Sequence, residues 1–465
     1  MKLLLIILLI LLPINLFAQN EAWNNIFADS YFGSKGYDVL GRMCYETGGR
    51  LPGSEGNKKA IDILIEELSK LGIKGNRETF EMPGWKRGKD EVSITSPVKK
   101  VLRAAALGYT QKCPDINAEL VYLMGGYEED YDSNPAKDKI VIVDQGGTKG
   151  KPRLLRYQAI ENAANNGALA VLIINSKEGG LVQCGVSNFH GNPAAVPAFS
   201  ITLEEGAWLK SLLNDGIEVK MKIHVESECF THNSDNVVVT IPGKNPQKVV
   251  VVAHSDSWDL GNGGVDNGQG TAVLFEMARV LSKYAKNSYY TIELVWVNAE
   301  ELGLWGSRDY VDKHKNEDIL AMINMDMTGS PTGINLMGFT EFERWFGEII
   351  EKMNGVDMKK GITDNPWTNS DHMYFMFEGI PSFTFHGHLD KNMYHYYHDF
   401  GDTFEKVSPR YISDAAAVIG VFTYELANNK EFKYHRRSQE EVKEMLIEYG
   451  LDKRLKLQGQ WEYGE

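Results

Sequence analysis

Two adjacent acidic residues, Glu300 and Glu301, follow a strongly apolar run at 290–297 that is typical of a buried β-strand. Neighbouring residues on an extended chain point in opposite directions, so the two carboxylates are expected to have different functions. Taken alone, such a pair is more typical of a solvated turn that opens a helix. The choice between a solvated turn and a reactive site therefore depends on which other side chains lie close to the two glutamates in the fold.

Other residues able to bind metal ions also lie at the ends of predicted strands. His254 ends one apolar run, Asp326 follows another, and His398 comes after the last predicted strand. Asp266 lies in an Asp-Asn-Gly turn before a predicted helix. The loops at the carboxyl ends of strands in an open α/β sheet meet in one crevice, so these side chains are expected to converge with the glutamates. Imidazole and carboxylate ligands suit zinc, with cobalt and manganese as weaker alternatives.

Strands and helices alternate in the second half of the chain. From residue 236 onward this alternation predicts an α/β fold in which a mixed, mostly parallel sheet is sandwiched by helices. The predicted strands are 248–253, 290–297, 319–325 and 380–385, and the predicted helices are 268–285, 341–353 and 411–427.

The segment 113–232 has its own pattern of short strand-like runs, at 139–143 and 170–174, around a candidate helix at 157–164. This pattern indicates a smaller, separate domain. Before it, a helix is predicted at 60–71 from its helical apolar spacing.

Length and charge narrow the class of protein. The chain has 465 residues and a formal charge of −14, which predicts two or three domains and argues against nucleic acid or an anionic membrane as a partner. Lys2, the apolar run 3–12 and Pro13 are typical of a secretory signal, with cleavage after Ala18. We therefore expect a secreted or periplasmic protein without a membrane span. Its oligomeric state stays open, with a homodimer among the alternatives.

The cysteines leave two alternatives open. An oxidising compartment permits disulfides, whose pairing the sequence does not rank, and buried free thiols are equally expected. The four cysteines are Cys44, Cys113, Cys184 and Cys229.

As a set, the strand-end motifs resemble those of the di-zinc peptidases of family M28. They are His-x-Asp at 254–256, Asp-Asn-Gly at 266–268, Glu-Glu at 300–301, Asp326, and His-x-x-x-Asp-Thr at 398–403. The similarity runs from about residue 36 to 428. It implies the zinc-exopeptidase fold, which is phosphorylase/hydrolase-like, with a protease-associated domain inserted before the catalytic histidine.

The resemblance divides the chain into a catalytic domain, an insert and two end segments. The insert is expected to wall the active-site crevice and to limit substrate length. The predicted parts are a signal peptide at 1–18, the catalytic domain at 19–112 and 233–430, the protease-associated insert at 113–232, and a charged C-terminal helix and tail at 431–465.

The resemblance also implies a ligand set for two zinc ions per chain. His254 and Asp326 would hold one ion, while Glu301 and His398 would hold the other. Asp266 would bridge the two, as in other sites that use paired metals.

The resemblance also implies supporting and catalytic roles for residues beside the ligands. Asp256 and Asp402 would orient the two ligand imidazoles through their second nitrogens. Glu300 would be the catalytic general base, taking a proton from a water activated by the two metals and passing it to the leaving amine.

Substrate contacts are less well defined by the motifs. Some relatives place an aromatic hydroxyl before a Ser-Asp-His element, whereas this chain has Trp367 there, so the oxyanion-stabilising residue is unassigned. Tyr394 and Tyr396 are alternatives for it. The candidate substrate-binding residues are Trp367, Ser370, Asp371, His372 and Tyr394.

The predicted function is therefore that of a secreted zinc exopeptidase that hydrolyses dipeptides or short peptides. General aminopeptidase activity is the first alternative. A glutaminyl cyclase, which uses one zinc ion on the same fold, is the second. A non-catalytic binding protein is the third, and the complete set of ligand positions argues against it.

Overall fold

The computed structural model describes residues 21–353 and 355–464. The predicted signal peptide lies outside the described residues. Within the described ranges, no helix is both long enough and apolar enough to cross a lipid bilayer.

Within the described residues, the strands form two separate eight-stranded sheets. In chain order they are β1 (Asn76–Lys86), β2 (Glu91–Ser96), β3 (Lys100–Val101), β4 (Ala104–Ala106), β5 (Cys113–Tyr122), β6 (Ile140–Asp144), β7 (Ala170–Ile174), β8 (Ala198–Ile201), β9 (Lys220–Val225), β10 (Glu228–Ile241), β11 (Asn245–His254), β12 (Tyr290–Val297), β13 (Ile319–Asn324), β14 (Ser330–Asn335), β15 (Gly361–Thr363) and β16 (Ser382–His388).

Helices connect and cover these strands, together with short helical turns at Gly264–Gly268, Thr340–Phe342 and Phe404–Lys406. The helices are α1 (21–32), α2 (Gly36–Thr47), α3 (Glu55–Lys70), α4 (Asp130–Ser133), α5 (Arg156–Asn165), α6 (Leu203–Asn214), α7 (Gln269–Tyr284), α8 (Trp305–His314), α9 (Glu343–Lys352), α10 (His372–Phe377), α11 (Lys391–His395), α12 (Pro409–Asn428), α13 (Gln439–Glu448) and α14 (Asp452–Leu457).

The first sheet has the order β1-β10-β12-β11-β13-β16-β14-β15. Its central strands β12, β11, β13 and β16 are parallel, while β10 and β14 join them antiparallel. Both faces are covered by helices. Val249 and Val251 of β11 belong to the apolar cluster that includes α7 and α12, whereas Val250 and Val252 belong to the cluster that includes α8 and α10. The predicted mixed sheet between helices is confirmed.

The second sheet belongs to the insert and has the order β3-β2-β9-β5-β6-β7-β8-β4. It includes β2, β3 and β4, which lie before residue 113, because β2 pairs with β9 and β4 pairs with β8. The insert sheet therefore extends from Glu91 to Val225, an earlier start than the sequence indicated. Such long-range pairings carry no local sequence signal.

The two domains share apolar core. Trp258 and Leu302 of the domain built on the first sheet are buried in the same cluster as Tyr109 and Cys184 of the insert. The Tyr109 hydroxyl also donates a hydrogen bond of 2.5 Å to the carbonyl oxygen of Leu302. The insert is thus docked against the loop that carries Glu301.

All four cysteines lie within the described ranges and are free thiols. The C-terminal segment also differs from the predicted surface helix and tail. Val442 and Leu446 of α13 and Leu455 of α14 are buried in the apolar core around the first sheet. A capping box between Ser438 and Glu441 begins α13.

Candidate metal centre

The candidate ligands gather at the carboxyl edge of the first sheet. His254 is the last residue of β11, and Asp326 follows β13 after one residue. Glu301 follows β12 in the loop before α8, and Asp266 lies in the helical turn that precedes α7. Because β12, β11, β13 and β16 are parallel neighbours, their carboxyl ends bring these loops together with His398.

Asp266 lies between the two histidines. Nε2 of His254 is 3.2 Å from Oδ1 of Asp266 and 3.7 Å from Oδ1 of Asp326. Nε2 of His398 is 3.1 Å from Oδ2 of Asp266 and 3.0 Å from Oε2 of Glu301. The five side chains therefore form two groups of three, each with donor atoms within 4.8 Å of one another, and Asp266 belongs to both.

The chemistry of these donors fits divalent cations. His254 is 1% exposed and Asp266 is 3% exposed. Among the described residues, neither ring nitrogen of His254 nor Oε1 of Glu301 has a hydrogen-bond partner. A buried polar atom left unpaired costs about 1–3 kcal/mol, so such atoms are expected where an ion binds. Two imidazoles and three carboxylates are a ligand set suited to zinc.

The electrostatics of the cluster also favour a bound cation. Burial raises the pKa of Glu301 to about 7. Burial, with Glu301 and Asp326 adding to it, raises the pKa of Glu300 well above its usual value. Burial opposes the charge on His398, but Glu301 and Asp266 outweigh it and raise the pKa of that imidazole to about 9. Carboxylates that resist ionising together are stabilised by an added positive charge.

Asp256 fixes the turn that carries the two glutamates. The backbone N–H of Glu300 donates to Oδ1 of Asp256 at 3.2 Å, and that of Glu301 donates to Oδ2 at 3.1 Å. Oδ1 of Asp256 also lies 3.5 Å from Nδ1 of His254. The Asp256 carboxylate therefore positions the two glutamates. It also lies beside the imidazole of His254, which it was predicted to orient.

Asp402 has a different partner from the one expected. Its two oxygens accept hydrogen bonds from the backbone N–H groups of Val265 at 2.7 Å and Asp266 at 3.1 Å. Nδ1 of His398 instead lies 3.0 Å from the carbonyl oxygen of Cys184. Asp402 thus orients the Asp266 turn, and the insert orients the imidazole of His398.

His398 is held in an unusual backbone conformation. Its φ is 60°, in the left-handed region that residues other than glycine seldom adopt. The N–H of Cys184 donates to the carbonyl oxygen of His398 at 3.0 Å, and the ring of Tyr397 stacks on the imidazole at a centroid distance of 3.7 Å. These contacts hold the ring beside Glu301.

Three of the candidate substrate residues are placed below the surface. Ser370, Asp371 and His372 are each 0% exposed, which leaves no surface for substrate contact. The Ser370 hydroxyl donates to Oδ2 of Asp326 at 2.9 Å, and Nε2 of His372 lies 2.7 Å from the carbonyl oxygen of Trp367. Burial lowers the pKa of His372 to about 4, so its ring is neutral. These residues support a ligand and the neighbouring loop.

Two cavities meet at the centre. The first, of about 700 Å³, is lined by Asp326, Trp367 and Tyr394, so two candidate substrate residues are placed at an open surface. The second, of about 490 Å³, is lined by Glu300, Glu301 and His398. Tyr397 lines both cavities. Sequence reasoning missed Tyr397, whose only signal was its position next to His398.

Comparison with known proteins agrees with this geometry. Residues 236–423 match the model of peptidase family M28, and residues 116–209 match the PA domain. Over residues 236–423 the chain is therefore similar to peptidase family M28. The two matches coincide with the sheet that carries the candidate ligands and with the insert sheet, respectively.

Similar proteins match nearly the whole chain. Carboxypeptidase Q from Mus musculus is 27% identical over 422 residues, covering 88% of each chain. Aminopeptidase YwaD from Bacillus subtilis (strain 168) is 27% identical and covers 85% of each. The crystal structure of an M28 peptidase precursor from Shewanella amazonensis SB2B has a TM-score of 0.77 at 25% identity and covers 91% of this chain and 99% of that one.

Proposed function

We propose that this protein is an M28-type, zinc-dependent exopeptidase that hydrolyses dipeptides or short peptides. The observation that carries the proposal is the pair of overlapping donor groups that share Asp266. His254 and Asp326 would hold one ion, Glu301 and His398 the other, and Asp266 both. Zinc in such a site supplies Lewis acidity, which polarises the scissile carbonyl and favours ionisation of the attacking water.

Glu300 is proposed as the general base. Its side chain lines the second cavity, and its backbone is held by Asp256 while Glu301 turns towards His398. In this arrangement the Glu300 carboxylate takes a proton from the attacking water at an Oε atom and delivers it to the nitrogen of the leaving amine. The two glutamates thereby divide proton transfer and metal binding between them.

Tyr397 is proposed to donate a hydrogen bond from its hydroxyl to the oxyanion that develops on the scissile carbonyl. Its ring stacks on His398 and borders both cavities, so it lies where a substrate crossing the centre would pass. A donor held in advance at that position lowers the barrier without reorganising during the reaction.

The size of substrate is proposed to be limited by the insert. Tyr109 and Cys184 attach the insert to the Glu301 loop and to His398, respectively. A docked domain at this edge closes the crevice on one side, which favours short peptides over folded proteins. The relationship to carboxypeptidase Q supports a free C-terminus as the recognised end, and the relationship to an aminopeptidase supports a free N-terminus as the alternative.

The test combines metal analysis with a peptide panel. We expect close to two zinc ions per chain, loss of dipeptide hydrolysis on chelation, and recovery with zinc. N-acetylated and C-amidated dipeptides separate the two alternatives, since each blocks one terminus. Active enzyme without a bound transition metal would contradict the proposal, as would metal-loaded enzyme that hydrolyses no member of the panel.

Export is proposed from the first residues of the chain. A signal peptide ending at Ala18 predicts that protein recovered outside the cytoplasm begins at Gln19. N-terminal sequencing of that fraction tests this, and a mature chain that retains residues 1–18 would contradict it.

A further inference from the structure

The second cavity is lined by arginines as well as by the catalytic glutamates. Arg153 precedes α5 of the insert, Arg156 begins α5, and Arg454 lies on α14 near the C-terminus. The same cavity of about 490 Å³ is lined by Glu300. Residues from three separate parts of the chain thus enclose one space, and α14 lies outside both ranges that match known families.

The guanidinium groups in this cavity lack acidic partners among the described residues. Arg156 donates from Nη1 to the carbonyl oxygen of Cys184 at 2.8 Å, and Nε of Arg454 is buried without a hydrogen-bond partner. Burial lowers the pKa of both groups, and for Arg156 the nearby charge of Glu301 opposes this effect only in part. Both arginines are half-buried, and neither forms an ion pair within the described residues, so they are suited to an anionic ligand.

Unpaired polar atoms surround the same space. The Tyr157 hydroxyl, the Thr368 hydroxyl and Oε1 of Gln458 have no hydrogen-bond partner within the described chain. All three residues line the cavity, and they are 6%, 3% and 4% exposed, respectively. Two hydroxyl donors beside two guanidinium groups provide several hydrogen bonds for one carboxylate, a group that arginine binds in bidentate geometry.

The position of Glu300 decides which end of a substrate enters. Glu300 delivers its proton to the leaving amine, and it lines the arginine cavity, whereas Asp326 and Trp367 line the first cavity. The amine product therefore departs on the arginine side. The nearest anionic group of a peptide on that side is the α-carboxylate of a C-terminal residue.

We propose that Arg454 and Arg156 bind the α-carboxylate of the residue released as the amine product, so that the enzyme cleaves the peptide bond before a free C-terminal residue. This inference rests on the proposed exopeptidase function. It makes Arg454 a specificity-determining residue supplied by the C-terminal helix. An acidic side chain of the released residue offers the same carboxylate chemistry, and the substrates of the test distinguish it from the α-carboxylate.

The test uses full-length, zinc-loaded enzyme and three peptides: Ala-Ala, Ala-Ala-amide and Ala-Glu-amide. Wild-type enzyme is expected to have a higher kcat/KM for Ala-Ala than for either amide. Arg454→Gln should lower the ratio of kcat/KM for Ala-Ala to that for Ala-Ala-amide by about 10- to 100-fold, the range for one hydrogen bond to a charged group. The change should lie mainly in KM, and Arg454→Lys should lose less. Lys453→Gln, an exposed neighbour on the same helix, is the matched control and should leave the ratio unchanged.

Arg454 is the better variant because Arg156 also contacts Cys184, which orients His398. Zinc content and thermal melting of each variant identify a folding or metal defect. A measurement on wild-type enzyme alone gives an independent check, since L-alanine should inhibit more strongly than L-alaninamide.

The outcomes separate the inference from the proposed function. Equal hydrolysis of Ala-Ala and Ala-Ala-amide by wild-type enzyme would overturn the inference and leave exopeptidase activity intact, as would an unchanged ratio in a folded, metal-loaded Arg454→Gln. Hydrolysis of Ala-Glu-amide as fast as Ala-Ala would assign the arginines to an acidic side chain instead. Absence of any peptide hydrolysis would refute the proposed function itself.

Discussion

At the scale of single residues, Glu300 and Glu301 are neighbours whose side chains meet different surroundings. Glu301 is 6% exposed, and its Oε2 lies 3.0 Å from Nε2 of His398. Glu300 is less buried and lines the cavity where the amine product would leave. Isosteric substitution should therefore damage catalysis at one position and metal binding at the other.

Glu300→Gln keeps the size of the side chain but removes the proton acceptor. We expect kcat to fall about 10²- to 10⁴-fold, towards the upper end because the same group also protonates the amine. KM and bound zinc should change little. Glu301→Gln should instead weaken one metal site and recover partly in excess zinc. Kinetics at limiting and saturating zinc, with bound metal measured in parallel, check both; metal loss in Glu300→Gln alone would reverse the two roles.

Tyr397→Phe removes only a hydroxyl. If that hydroxyl donates to the developing oxyanion, kcat should fall by about 10²-fold or more while zinc content is retained. Tyr396→Phe is the matched control, since the Tyr396 ring packs against Lys406 with the ammonium 4.4 Å from the ring centroid. A fall in kcat for Tyr396→Phe with none for Tyr397→Phe would move the oxyanion role to Tyr396.

At the scale of elements, the proposed metal ligands depend on loops whose backbones are held by side chains from other parts of the chain. Asp402 holds the turn Gly264–Gly268, which carries Asp266. Asp402 lies after β16 and α11 in the chain. A ligand that belongs to both donor groups is thus positioned by a residue far away in sequence.

Asp402→Asn tests this support. Asparagine has one acceptor oxygen in place of two, so one of the N–H groups of Val265 and Asp266 loses its partner. Loss of such a supporting contact typically weakens metal affinity about 10- to 100-fold. Zinc titration of the metal-free variant measures the change, and Glu405→Gln, an exposed substitution on the same segment, is the control. Unaltered zinc affinity would show that Asp402 does not position Asp266.

Much of this arrangement was predictable, for a physical reason. Glu301 and Asp326 follow continuous apolar runs, and strand ends in a parallel sheet must meet. The partner of His398 was not predictable, because a backbone carbonyl at Cys184 leaves no trace in residue type. The same holds for Arg454, whose role arises from packing of a C-terminal helix against a distant cavity. Sequence motifs predict local geometry, but they do not predict contacts between segments that are distant in sequence.

At the scale of the whole molecule, the candidate metal centre lies where two domains meet. The insert contributes the contact to His398 through Cys184, and Tyr109 attaches it to the Glu301 loop. Metal binding should therefore stabilise the assembled molecule as well as the catalytic domain.

Chelation should lower the melting temperature of the intact enzyme. A ligand that binds only the folded state at 100 times its Kd adds about 2.7 kcal/mol of stability, so we expect zinc to raise Tm measurably. Asp266→Ala should lose most of this effect, because Asp266 belongs to both donor groups. Calorimetry with and without chelator gives the comparison. A melting temperature that is indifferent to chelation would contradict a metal that bridges these elements.

The two-way hydrogen bonding between Cys184 and His398 also bears on when activity begins during synthesis. The ribosome completes the insert before it makes His398, and it makes Arg454 later still. No nascent fragment that stops short of residue 398 contains a finished centre. Peptidase activity should therefore require translation beyond residue 398 and docking of the two domains.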